Sequence, residues 1–254
     1  MRSPAWESRS QEFWPCNKHP EVDAVCSVAA YRMEQIGKPD LIPFFADLVF
    51  CYAQWTIDLP ASQRNHHARR FGLLIHAAEA VERAVVVGLR SSPALPPEWV
   101  RTTVALALLH DCGRLLDIVV SDASGRVWDP FQDTLLRFAR TGRVTYRWVA
   151  GRGLDRHEYR ASDLFQHLLP SDSASLLSPI QQAWHAYVNR DRLGPDQLGI
   201  YPFWVAGIVA WADQRSAQDD YFRQKRAALR TPKPPVDAPV CYDGLKGKTH
   251  KEVG

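Results

Sequence analysis

Apolar residues recur at three- and four-residue intervals through most of the chain, the spacing that places one face of an α-helix against a core. PDLIPFFADLVFCYAQWTIDL predicts a helix ended at Pro60, with PASQRN as the turn that follows. HHARRFGLLIHAAEAVERAVVVGL predicts one long helix from His66, closed by Gly88 and the loop SSPALPP. Pro97 and Glu98 open the next helix, EWVRTTVALALLHDCG, and Gly113 ends it. FQDTLLRFARTG predicts a short helix stopped at Gly142, and RVTYRWVAGRGLDRHEY reads as a loop or a minor hairpin. Helices resume at ASDLFQHLL, SASLLSPIQQAWHAYV and YPFWVAGIVAWADQRSAQDDYFRQKRAAL. With no internal repeat, this pattern predicts a single all-α domain over residues 21–230 behind an N-terminal extension, 1–20. Residues 231–254, rich in proline, glycine and lysine, predict a flexible tail or the start of a linker.

Composition narrows this picture only a little. A net charge of +3 does not argue for nucleic acid, so any anion site must be local. The five cysteines (Cys16, Cys26, Cys51, Cys112, Cys241) include no C-x-x-C pair and read as reduced thiols of a cytoplasmic protein. MRSPAWESRSQEF lacks the apolar stretch of a signal peptide, and the run near PFWVAGIVAWA is too short to span a bilayer, so no membrane partner is expected.

The informative residues are a series of histidines and aspartates in or beside apolar helical runs: His76, His110-Asp111 and Asp213. Carboxylates are rarely buried unless paired or metal-bound, and Asp111 and Asp213 each follow an apolar run directly. Imidazole and carboxylate donors from three helices suit a divalent cation. Such an ion acts as a Lewis acid and makes hydroxide from water near neutral pH. His157 and His185 fall between the His-Asp pair and Asp213, an order that suits a second ion bridged to the first by Asp111. One or two divalent ions are therefore expected. The absence of thiolate favours iron, manganese, zinc or nickel. His66 and His67 lie nine to ten residues before His76, close to three helical turns, so one of them would share its side. Arg70, Arg114 and Arg156 stand near these residues in sequence as candidate phosphate contacts. Tyr146, Trp148 and Tyr159 are the least core-like aromatics and would suit base stacking.

The order His76, His110-Asp111, Asp213 resembles the ligand series of HD-type metal-dependent phosphohydrolases. A more specific likeness lies in LPASQRNHHARRFGLLIHAAEAVERA, where Pro60-Ala61-Ser62 precedes His66-His67, then Gly72-Leu73-Leu74 and His76. With LALLHDCGRLLD, in which Gly113 and Arg114 follow Asp111, it resembles the N-terminal HD-type domain of MobH-class conjugative relaxases. The likeness spans about 20–225 and is dense only at 59–84 and 104–117. Phe71 stands where that family tends to carry a second glycine.

The resemblance implies an HD-type helical domain acting on single-stranded or transfer-origin DNA of a mobile element, alongside other conjugation proteins. On that reading His76, His110, Asp111, His157, His185 and Asp213 hold metal, while His67, Asp111, Arg114 and Arg156 serve catalysis. His66, Arg70 and Arg114 bind substrate. Two alternatives remain open at this stage: an HD-type hydrolase of nucleotides or cyclic dinucleotides, and a non-catalytic assembly or DNA-binding module that keeps the metal as a staple.

Overall fold

The computed structural model describes residues 19–63, 65–90, 95–140, 143–149 and 156–230, with the backbone alone described at 156–159, 228 and 230. The chain begins with α1 (Pro20–Gln35), which the pattern of apolar residues did not single out. Its proline in the first turn, with Glu21 and Asp23 beside the helix N-terminus, explains why it starts where it does. Gly37 takes φ +71° just past its end, and Lys38 N–H donates to the Met33 carbonyl at 2.9 Å, closing the last turn. α2 (Leu41–Thr56) follows as expected and buries ten of its side chains.

The predicted long helix from His66 is a correction. Residues 66–71 form a turn, and α3 runs only from Gly72 to Arg83. His67 and Phe71 both sit in the left-handed region, at φ 50° and 59°, which an α-helix excludes. The segment is held by distant partners. His67 N–H donates to Asp220 at 2.7 Å, and the His67 carbonyl accepts from Ala61 N–H at 3.2 Å. Beyond Arg83 the helix widens into a π-helical turn, Ala84–Leu89. Gly88, read as a helix stop, lies inside this turn. A Cβ there would come 2.2 Å from Ile208 Cγ2, so the glycine permits close helix packing.

α4 (Pro97–Leu109) is buried on almost every side, as is α3, and the two form the centre of the molecule. A 3-10 turn, Cys112–Leu116, leads into β1 (Ile118–Asp122). After α5 (Leu135–Ala139), β2 (Val144–Trp148) pairs antiparallel with β1, from Ile118 opposite Trp148 to Asp122 opposite Val144. The strand in RVTYRW thus pairs not within its own segment but with IVVSD, across a connection that contains α5, and the pattern did not show that partner.

Among the described residues, α6 (Arg156–Leu168), α7 (Leu177–Asn189), the short α8 (Pro195–Leu198) and α9 (Ile200–Arg230) complete an all-α architecture with one two-stranded ribbon. α9 lies along α7, α3, α4 and the π turn, while α1 packs on α3. The expected tail from 231 and residues 1–18 of the expected extension lie outside the described residues. Among the described residues no helix is long and apolar enough to cross a membrane.

Candidate metal centre

Three packed helices supply the polar groups at the centre of the core. His76 stands on α3 with no exposed surface, and Leu73, Leu74, Ile75 and Ala77 around it are equally buried. His110 caps the end of α4. Asp111 follows at φ −101°, ψ 12°, between α4 and the 3-10 turn, so the two adjacent side chains turn to one side. Asp213 comes from α9.

The donor atoms converge. His76 Nε2 lies 3.1 Å from Asp213 Oδ1 and 3.6 Å from Asp111 Oδ2. His110 Nε2 lies 3.5 Å from Asp213 Oδ1 and 3.3 Å from His76 Nε2. His66 joins from the turn before α3: it, His76 and Asp111 each offer a ligand atom within 4.8 Å of the others, as do His76, His110 and Asp213.

The tautomers sharpen the picture. His110 Nδ1 is 2.9 Å from the Ala107 carbonyl, a group that only accepts, so Nδ1 carries the hydrogen. His76 Nδ1 is 3.0 Å from Ser216 Oγ, which itself donates to Glu79 Oε2 at 2.9 Å. With the serine proton committed to Glu79, His76 Nδ1 is the donor. Both Nε2 lone pairs therefore point at each other and at carboxylates, an arrangement that calls for a cation between them, whether a proton or a metal ion. His66 Nε2 is buried with no hydrogen-bond partner. Donors on one ion bonded at about 2.1 Å stand roughly 3.0–3.5 Å apart at tetrahedral or octahedral angles. The separations of 3.1, 3.3 and 3.5 Å fit that range, and that of 3.6 Å lies just above it.

The chain matches the TraI_2 family, described as "putative helicase", over residues 34–247. It belongs to the TraI_2 family. No curated protein and no solved structure matches the chain.

Around this TraI_2 centre lies a supporting shell that sequence reasoning missed. Glu79 is buried one helical turn beyond His76. Burial works against its charge, but hydrogen bonds from His67 and Arg223 hold its carboxyl well below the usual carboxylate range. Arg223 Nη1 sits 2.6 Å from Glu79 Oε1. His76, Ser216, Glu79 and Arg223 thus form a continuous chain that fixes the orientation of the first imidazole. Glu79 was visible as the lone charge in GLLIHAAEAV, and Ser216 stands one turn beyond Asp213. On the other side Tyr187 Oη donates to Asp213 Oδ2 at 3.3 Å, and its ring stacks on Trp184 at 5.3 Å between centroids. Burial and the nearby carboxylates push the Tyr187 phenol well up, so it stays a donor.

The remaining candidates separate. His66, expected to contact substrate, lies among the candidate metal donors. His67, expected to be catalytic, is wholly buried between Glu79, at 3.4 Å, and Asp220, at 3.9 Å, with its ring centroid 5.0 Å from that of His76. His185, expected on a second ion, is exposed on the other side of α7 and meets Asn189 Nδ2 at 3.3 Å. The structure does not bring His185 to the cluster. The side chains of Arg156, His157 and Tyr159 lie outside the described residues. Arg114 stays at the centre's edge, partly exposed, with Nε 3.6 Å from Asp111 Oδ1. Arg70 is exposed and paired with Asp58 at 2.8 Å.

A pH dependence follows for the metal-free protein. Burial opposes charge on His110, yet the hydrogen bond to Asp213 and the charges of Asp213 and Asp111 carry its pKa up to about 9. The pKa is raised, so the stability from this proton is complete below its unfolded value of about 6.5 and is lost as pH rises through about 9. A metal ion must displace that proton. Affinity is therefore expected to rise by about tenfold per pH unit between about 6.5 and 9, measured by competition with a chelating dye. A flat profile would remove His110 from the ligand set.

Proposed function

We propose that this TraI_2 chain is a metal-dependent phosphodiester hydrolase of the HD type, acting as a relaxase-like nuclease on the DNA of a mobile element. The observation that carries this reading is the convergence of two buried Nε2 lone pairs on two carboxylates, with an unpartnered third histidine beside them. His66, His76, His110, Asp111 and Asp213 would hold the ion. A divalent ion bound by such donors polarises a phosphoryl oxygen and lowers the pKa of a bound water.

The chain's own residues supply the rest. Tyr187 keeps one oxygen of Asp213 engaged, and Ser216 keeps His76 in the tautomer that offers Nε2. Arg114, paired with Asp111 at 3.6 Å and Asp117 at 3.5 Å, would grip the non-bridging phosphate oxygens through two donors. Tyr146, exposed on β2, offers a face on which a base can stack. DNA is favoured over a free nucleotide by the family match, together with the Pro60–His76 segment that resembles relaxases. The helicase wording in the family description finds no phosphate-cradling G-x-x-x-x-G-K-[ST] motif in this sequence. Its Gly247-Lys248-Thr249 has Tyr242 where the first glycine would stand.

The test uses protein loaded in turn with manganese, iron, zinc and nickel. It is offered single-stranded DNA, a supercoiled transfer-origin plasmid and a panel of nucleotides. Metal-dependent cutting of DNA is expected, weakening steeply with salt. Arg114→Ala should keep the metal and slow cleavage by about 10²–10³-fold, as loss of one preorganised donor does. Hydrolysis of a nucleotide with every DNA left intact would transfer the centre to the nucleotide-hydrolase reading.

A further inference from the structure

α9 has two faces with opposite chemistry. Val205, Ala206, Val209, Ala210 and Ala212 are buried against the domain. The outward positions are 200, 204, 207, 211, 214, 218 and 221, all exposed and spaced alternately four and three residues apart. That is the spacing of a coiled-coil seam. It is occupied by Ile200, Trp204, Gly207, Trp211, Gln214, Gln218 and Tyr221, with Tyr201 and Phe222 alongside. No charged side chain occurs from Ile200 to Ala212. Single exposed apolar residues are ordinary, but here Ile200, Tyr201, Trp204 and Trp211 cluster on one part of the seam and Tyr221 with Phe222 on another, separated by Gln214 and Gln218, and exposed apolar clusters mark contacts.

We infer that this seam pairs with the same seam of a second copy, antiparallel about a two-fold axis at Trp211. In that arrangement apolar residues meet at the centre and at both ends, while Trp204 lies against the uncharged Gln218. Ile200 meets Phe222 of the second copy, Tyr201 meets Tyr221, and Gly207 lies opposite Arg215. Each apolar end thus covers the other. Gly207 is the small position such a crossing needs, since a Cβ added there meets nothing within 4 Å in its own chain. The groove beside it, between the π turn and α9, is walled by Val87, Trp204 and Trp211 and receives side chains from the facing helix.

The area is sufficient. Val87, Ile200, Tyr201, Trp204, Trp211, Tyr221 and Phe222 are each 39–59% exposed. With large side chains presenting 150–250 Å² each, they offer about 600 Å² per copy, and a symmetric pair passes the ~1,000 Å² of a specific interface. The inference rests on the outer face of α9 and is independent of what the metal centre hydrolyses.

The experiment is light scattering coupled to size exclusion on the full metal-loaded chain, from about 1 to 100 µM, a range over which an interface of this size associates. Twice the chain mass is expected at the upper end. Gly207→Arg places a charge opposite Arg215, on a position where the new Cβ meets no atom of its own fold within 4 Å. It should run as a monomer throughout, with unchanged metal content and a melting temperature no lower than the monomeric wild type. The pairing direction is read by charge exchange. Ile200→Glu and Phe222→Lys should each weaken association at least tenfold, and the double variant should regain it, because each glutamate then faces a lysine of the other copy. A wild type that stays monomeric at 100 µM overturns the proposal, as does a Gly207→Arg protein that remains dimeric. A double variant worse than either single one overturns the antiparallel arrangement.

Discussion

Replacing His110 with alanine should empty the metal centre and abolish hydrolysis while leaving the helical content intact. His110 is one of two buried imidazoles whose Nε2 atoms face each other at 3.3 Å. Its removal leaves Asp213 with one histidine partner, and an open space replaces the ring at the end of α4. The expected metal content falls from about one per chain to near zero by elemental analysis, since a site of this type depends on every inner ligand. Melting should fall for two separable reasons. Metal present at a hundredfold excess over its dissociation constant contributes about 2.7 kcal/mol, and truncation of a buried side chain adds its own cost. A chelator isolates the first part: it should lower the melting temperature of the wild type and leave His110→Ala unmoved. Retention of stoichiometric metal in the variant would take His110 out of the centre.

Gly72→Ala should be among the most damaging single changes in the chain, although it adds only one carbon. The new Cβ would stand 1.9 Å from the His67 carbonyl oxygen and 3.3 Å from the Ala61 nitrogen, both backbone atoms of the turn that delivers His66. That turn is fastened by the Ala61 to His67 hydrogen bond and by Asp220 on the His67 N–H. It cannot yield locally without breaking them. A loss of about 3 kcal/mol is expected, at the upper end of overpacking effects, with weakened metal affinity as His66 is displaced. The same substitution at Gly207 meets no atom and should raise helix stability by up to about 1 kcal/mol. Comparable melting temperatures for the two variants would show that the turn relaxes freely.

These contrasts explain how much of the molecule was legible in its sequence. Helices α2, α7 and α9 announced themselves because their burial is periodic, α4 because its apolar run lies between Pro97 and Gly113, and His76, His110, Asp111 and Asp213 because polar groups interrupt apolar runs. The turn at 66–71 was illegible for a definite reason. HHARRF has nothing that forbids a helix, and its left-handed residues are imposed by Asp220, 153 residues away. The same contact places His67 in a buried ion network and leaves His66 beside His76 and Asp111. On α7 the apparent ligand was His185, yet helical phase presents Tyr187 to Asp213. β1 escaped notice because IVVSD is too short to alternate convincingly and acquires its partner only through β2.

The geometry of α9 bears on which changes in length the protein tolerates. Asp213, Ser216, Asp220 and Arg223 follow at intervals of three, four and three residues. They meet, respectively, the paired imidazoles, His76 with Glu79, the backbone of His67, and Glu79 again. The helix therefore works as a ruler with four marks, read by α3, the end of α4 and the turn at 66–71. Dropping or adding one residue turns everything beyond it by about 100° and shifts it by about 1.5 Å, which misaligns all later marks together. A homologous chain can lengthen the turn between Asp122 and Arg126 without cost to the centre. Within Asp213–Arg223 the viable changes are substitutions alone.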